Sequence, residues 1–141
     1  MRCAVFKISP IQDKDIQKKY AKDCDTEFCP ELFAYSMINQ ENGELMGFSQ
    51  FDISGEYGYI RSLRPKHGYS DFEAMFILGR ATMNFIDLCG NHKCYAAPDA
   101  AEERLLKAIG FKPTEDGKYF ADMNGMFDGH CDGKAVDLNK E

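Results

Sequence analysis

The sequence predicts one α/β domain built on a mixed, mostly antiparallel sheet with helices on both faces. Three observations predict it. The chain has 141 residues, the size of one domain with a complete core. Short apolar runs with period-two alternation are separated by Gly, Pro and Asn punctuation, as strands are. Between two such runs lies a long segment apolar at helical spacing. A set of antiparallel strands is thus followed by a strand-helix-strand crossover.

The elements follow in order. Residues 3–9 alternate as a strand, with Ala4, Phe6 and Ile8 on one face, and Ser9-Pro10 stops it. Residues 13–22 form a polar helix with Ile16 and Tyr20 four apart, lying on the surface. Residues 23–31 are a loop. Residues 33–38, 44–53 and 57–63 are three strands of a meander. They turn at Asn42-Gly43 and at Ser54-Gly55-Glu56.

Residues 71–89 form the longest helix. Phe72, Met75, Phe76, Gly79, Met83 and Ile86 make one apolar stripe, and Leu78, Ala81, Phe85 and Leu88 a second, so the helix is buried on two sides. Its narrow polar edge is Glu73, Arg80, Asn84 and Asp87, read as a solvated or hydrogen-bonded stripe. Gly79 costs about 1 kcal/mol against Ala there, which close packing on a neighbour offsets. Gly90 caps the helix. A fifth strand spans residues 93–97. Pro98 opens the last helix, with Asp99, Glu102 and Glu103 complementing its dipole, and Gly110 closes it. Phe111 follows, and Glu115-Asp116-Gly117 turns into a final strand at 118–123. The domain spans residues 1–124, and residues 125–141 are a Gly- and Asp-rich C-terminal extension, in part flexible.

Composition narrows the function. The net charge is -6, and the densest basic run, Lys18, Lys19 and Lys22, is diluted by Asp13, Asp15, Asp23 and Asp25, so a nucleic-acid partner is not expected. No apolar run reaches the length of a membrane span, and residues 1–7 lack a signal-peptide core, so a cytoplasmic location is expected. The six cysteines are then free thiols, with Cys3, Cys89 and Cys94 acting as small hydrophobes. Cys24 and Cys29, Cys89 with His92 and Cys94, and His130-Cys131 supply metal-ligand types. None has the tight pairing of a structural zinc site, and no metal is expected.

The segments Asn42-Gly43-Glu44-Leu45-Met46-Gly47-Phe48 and Leu105-Leu106-Lys107-Ala108-Ile109-Gly110-Phe111, in an element order β-α-β-β-β-α-β-α-β-β, resemble the GNAT acyltransferases. The resemblance covers residues 3–123. It implies the acyl-CoA N-acyltransferase fold, with acetyl-CoA or another acyl-CoA as cosubstrate and an amine of a small molecule or peptide as acceptor. In that family a Gln/Arg-x-x-Gly-x-Gly/Ala loop holds the pyrophosphate on backbone amides at the start of the central helix. Here Gly68 and Ser70 lie at the glycine spacing, with Arg64 upstream. The resemblance assigns cofactor contacts to Leu63, Arg64, His67, Gly68, Tyr69, Ser70 and Asp99, the last matched to an Asn near the start of the last helix. The family's Tyr acid corresponds to Leu106, which donates no proton. No catalytic residue is assigned. Asp52 and Glu56 are candidate bases through a water, against the reading that they are solvated turn carboxylates.

The residues of that loop carry a second reading. Ser70-Asp71-Phe72-Glu73 fits a capping box, in which the chain's own acids occupy the helix-start amides. The alternative function is then a non-catalytic module that has lost coenzyme A binding and holds another ligand or a partner chain. A third possibility is a homodimer with its function at the interface.

Overall fold

The computed structural model describes residues 6–53 and 55–126. Its elements are β1 (Phe6–Pro10), α1 (Lys14–Asp23), β2 (Phe33–Asn39), β3 (Leu45–Asp52), β4 (Gly58–Pro65), α2 (Phe72–Leu88), β5 (Lys93–Ala96), α3 (Glu103–Ile109), β6 (Lys112–Pro113) and β7 (Tyr119–Asp122). The order is the one the sequence predicts. One sheet of seven strands contains them all, arranged β1-β2-β3-β4-β5-β7-β6. Only β4 and β5 pair in parallel, the consequence of the crossover through α2. Pro10, which has no N–H to give a ladder, sits in the edge strand β1.

Alternate residues of β3 face opposite sides of the sheet. Phe48 packs with Ala21 and Cys24 under α1. Ser49 bonds Thr82 of α2 at 2.9 Å. The larger core lies on the α2 side and gathers Met37, Phe51, Ile60, Leu63, Leu78, Met83, Ile86, Leu106 and Ile109. Helices therefore cover both faces, as expected.

Four expectations need correction. In α1 the buried positions are Gln17 and Ala21, while Ile16 is exposed. Gln17 tolerates burial because its Nε2 donates to Ile11 O (2.6 Å) and its Oε1 accepts from Lys14 Nζ (3.2 Å). In α2 the second stripe stops short: Leu88 is 71% exposed, and Cys89 is exposed with it rather than behaving as a core residue. The last helix does not open at Pro98. It starts at Glu103, because Pro98 to Glu102 are held in a turn against β4. The N-cap of α2 is Asp71 and not Ser70: the Asp71 Oδ1 accepts from Ala74 N at 3.0 Å.

The expectations at Gly79 and Arg80 are met by packing. A methyl on Gly79 would come within 2.9 Å of Ile109 Cδ1 and 3.0 Å of Leu63 Cδ2, so the glycine is what lets α2 approach α3 and β4. Arg80 donates from Nε to Ile109 O at 2.9 Å, satisfying a carbonyl at the end of α3. The packed chain runs past residue 124: Met126 lies against the core, with its N–H on Met123 O. Cys3, His130, Cys131 and the extension from 127 onward lie outside the described residues, as does Ser54.

Candidate active site

β4 is the element that opens a site. Against β3 its register shifts between Gln50 and Phe51, whose partners are Ser62 and Ile60, so Arg61 is an extra residue that bends the strand. Against β5 it pairs only from Gly58↔Cys94 to Ile60↔Ala96, although it runs on to Pro65. The two strands fork there. The turn after β5 bridges the first part of the fork: Ala97 N donates to Ile60 O (3.0 Å), and Leu63 N donates to Ala100 O (2.8 Å). Asp99 of the same turn takes Arg61 Nη1 at 3.1 Å, and Glu27 takes Nη2 at 3.5 Å.

Beyond this bridge lies a cavity of about 310 Å³. One wall is Leu63, Arg64 and Pro65 at the end of β4. A second is Tyr69, Ser70, Asp71, Phe72 and Met75, where the loop enters α2. The third is Ala101, Glu102, Arg104 and Leu105, where the turn enters α3. The size suits a small-molecule group with a few polar contacts.

The electrostatics of the cavity are set by four ionic groups. Asp71 is committed on both oxygens: Oδ1 caps α2, and Oδ2 accepts from Tyr69 OH at 3.3 Å. Burial first, then the Asp71 charge and hydrogen bond, push the Tyr69 phenol up, so it stays a proton donor at neutral pH. The Arg104 guanidinium lies 4.0 Å from the centroid of the Phe72 ring. Among the described residues neither the Arg64 nor the Arg104 guanidinium has a hydrogen bond or an ion pair, and the Glu102 carboxylate lines the cavity without one.

Of the predicted site residues, the structure brings Leu63, Arg64, Tyr69 and Ser70 together on the cavity. His67, Gly68 and Asp99 are not among its lining residues. His67 is drawn to the end of α1, its N–H on Asp23 O (2.8 Å) and its Nδ1 on Asp25 Oδ2 (2.7 Å). Gly68, at φ +82°, makes the turn in which Tyr69 N reaches Lys66 O. Asp99 is held by Arg61. The expected box also shifts: Ser70 and Glu73 are exposed, and Asp71 alone takes the capping role. Leu106 is fully buried in the core, and Leu105 is the residue of that pair on the cavity. Asp52 and Glu56 lie at or before the start of β4, with Asp52 opposite Tyr59, at the far end of the strand from the cavity.

Sequence reasoning missed Arg104, Phe72 and Glu102. Arg104 falls inside the helix that the sequence starts at Pro98, where no motif singles it out, and Phe72 reads as core. The signal available was the arginine itself, one turn before Lys107 in a segment otherwise acidic at its start. Among the described residues no group of three or more His, Cys, Asp and Glu is placed to hold a metal ion. None of the described helices is long and apolar enough to cross a membrane.

No protein-family model matches the sequence, and no curated protein matches it. Solved structures do. The structure of AtaTR bound with AcCoA superposes with a TM-score of 0.63 at 16% identity, over 86% of this chain and 96% of that one. The ribosomal-protein-S18-alanine N-acetyltransferase from Escherichia coli gives 0.63 at 13% identity, over 96% and 99%. A putative acetyltransferase of the GNAT family from Desulfovibrio desulfuricans gives 0.60 at 11% identity, over 84% and 99%. At these identities the likeness is one of fold. The forked mixed sheet, its crossover helix and these superpositions together establish that the chain has the GNAT acyltransferase fold.

Proposed function

We propose that this protein is an acyl-coenzyme A-dependent N-acyltransferase acting on an amine of a small molecule or peptide, with the cofactor seated in the cavity beyond the β4–β5 fork. The observation that carries the reading is that cavity. It opens where the two parallel strands part, at the start of the central helix, and two uncommitted guanidiniums line it. A neighbour of the same fold is described with AcCoA bound. Leu63, Arg64, Tyr69 and Ser70 are the proposed cofactor contacts.

The chemistry is chiefly positioning. Holding thioester and amine together in one cleft removes the entropic cost of their encounter. Strand amides at the fork are the groups available to polarise the thioester carbonyl. The Leu63 N–H is the cavity's own strand donor, and Ala100 O must release it first. No side chain at position 106 supplies a proton to the leaving thiolate. A base acting through water from Asp52 or Glu56 would work across the length of β4, so the amine must arrive already deprotonated or lose its proton to solvent. Slow turnover, rising with pH as the acceptor amine deprotonates, is the consequence.

Isothermal titration with acetyl-CoA, followed by thiol-release assays on an amine panel, tests the reading. Saturable heat and thiol release support it. The absence of heat at millimolar acetyl-CoA sinks it.

A second reading is favoured by one observation: a helix-start amide and the strand donor beside the cavity are taken by the chain itself, through Asp71 on Ala74 N and Ala100 on Leu63 N. On that reading the domain is a non-catalytic module whose cleft holds another ligand or a partner. Acetyl transfer to any amine of the panel removes it. A cytoplasmic location and a homodimer remain proposals. Light scattering after size-exclusion checks the second, and a mass of one chain rejects it.

A further inference from the structure

Five arginines occur in the chain, and the structure describes four of them. Arg61 is held between Asp99 and Glu27, and Arg80 is spent on the end of α3. The two whose guanidiniums have no hydrogen bond or ion pair among the described residues, Arg64 and Arg104, are the two that line the cavity, and they approach it from different walls. We propose that this site binds phosphate through a guanidinium clamp, Arg64 from the end of β4 and Arg104 from α3, in place of the amides at the start of α2. The inference rests on the coenzyme A reading for its ligand, and names the residues that would hold the pyrophosphate.

The α2 terminus is unsuited to the task. Asp71 is fixed there on both oxygens, so a phosphate drawn to the helix dipole meets a carboxylate that cannot turn away. The chain's net charge of -6 supplies no general attraction for a polyanion. Local cations must do it. A guanidinium offers a planar fork of donors that matches two phosphate oxygens, and its stacking on an aromatic face leaves that donor edge open. Arg104 is already stacked on Phe72, so less rotamer freedom is lost on binding. The Glu102 carboxylate opposes the clamp from the same wall as Arg104 and has no partner among the described residues. Removing its charge is therefore expected to tighten binding.

The test is titration of the full chain with coenzyme A and, separately, with inorganic pyrophosphate, at two ionic strengths. Arg64→Ala, Arg104→Ala, Arg104→Lys and Glu102→Gln are compared with the parent, each checked for a native melting transition. All three positions line the cleft, and the Glu102→Gln arm gains affinity, which a misfolded protein does not. The expected result is a loss of about tenfold or more for each alanine variant, the order of one charge-assisted contact. Partial recovery is expected in Arg104→Lys, with tighter binding in Glu102→Gln and a shallower salt dependence in the alanine variants. If the parent binds coenzyme A and both alanine variants match it in affinity and salt dependence, the clamp is wrong and the coenzyme A reading stands. If the parent ignores coenzyme A but binds pyrophosphate in an Arg64- and Arg104-dependent way, the clamp stands and the coenzyme A reading falls. If it binds neither, both fall.

Discussion

At the scale of the residue, Asp71 has two opposed effects. It caps α2 through Ala74 N and keeps a negative charge beside the cavity. Asp71→Ala should therefore cost about 1 kcal/mol of stability, read by urea unfolding, as lost N-caps do. The same variant should bind coenzyme A more tightly, because it frees a helix-start amide and removes a like charge. Leu106 is another position where a simple repair is expected to fail. It is fully buried, so Leu106→Tyr should lower stability by about 1–3 kcal/mol, the range for overpacked cores, and leave acyl transfer no faster. The thiols divide by burial. Burial, reinforced by Asp23 and Asp25, pushes the Cys24 thiol from 9.0 up to about 12, and burial alone does the same to Cys94. Peptide mapping after iodoacetamide treatment of the folded protein should show Cys89 modified and Cys24 and Cys94 spared. Both shifts are upward from the unfolded value, so the stability they contribute is complete below pH 9.0 and lost as pH rises towards 12. Urea midpoints should fall progressively above pH 9.0. A midpoint flat through that window contradicts the assignment.

At the scale of the element, the contact among α2, β4 and α3 decides the shape of the cleft. Gly79 lets α2 approach both Ile109 and Leu63. Gly79→Ala has a better helix propensity by about 1 kcal/mol. Its methyl group nevertheless enters two fully buried side chains, and overpacking of that kind costs about 1–3 kcal/mol. Net destabilisation is expected in urea unfolding, and a stabilised variant would mean that Ile109 and Leu63 give way freely. The late start of α3 belongs here too. A helix running from Pro98 would carry Ala100 O into its own ladder. Instead that carbonyl crosses to Leu63 N, and Asp99 crosses to Arg61. The turn at 97–102 thus fills the first part of the fork and sets where the cavity begins.

At the scale of the whole molecule, one sheet carries two differently sized cores. The α1 side holds the small cluster around Phe48, and the α2 side holds the large one. Phe48 is fully buried and faces α1, so Phe48→Ala should cost about 3–5 kcal/mol, the range for aromatic truncations. The loss should be accompanied by release of the loop that follows α1. Asp23 at the last position of α1 and Asp25 in that loop hold His67, so the segment leading to the cavity is braced from the opposite face of the sheet. Proteolysis near residues 66–70 that is faster in this variant than in the parent would confirm the brace.

By itself the sequence determined the order of the ten elements, because each is written in local patterns: alternation for strands, two stripes for α2, Asn42-Gly43 for the hairpin. It also determined that Leu63, Arg64, Tyr69 and Ser70 stand near one another, since they are neighbours in the chain. It did not determine the strand order beyond the meander, with β7 lying between β5 and β6, nor the true cap of α2, nor the start of α3. The cap of α2 is a local choice between the adjacent Ser70 and Asp71, both acceptable N-cap residues, that the sequence pattern leaves open. The strand order and the start of α3 depend on hydrogen bonds between residues far apart in sequence, such as Leu63 with Ala100. Arg104 became a candidate site residue for the same reason: only the packing of α3 beside α2 lays its guanidinium over Phe72, and no local pattern encodes a contact across 32 positions.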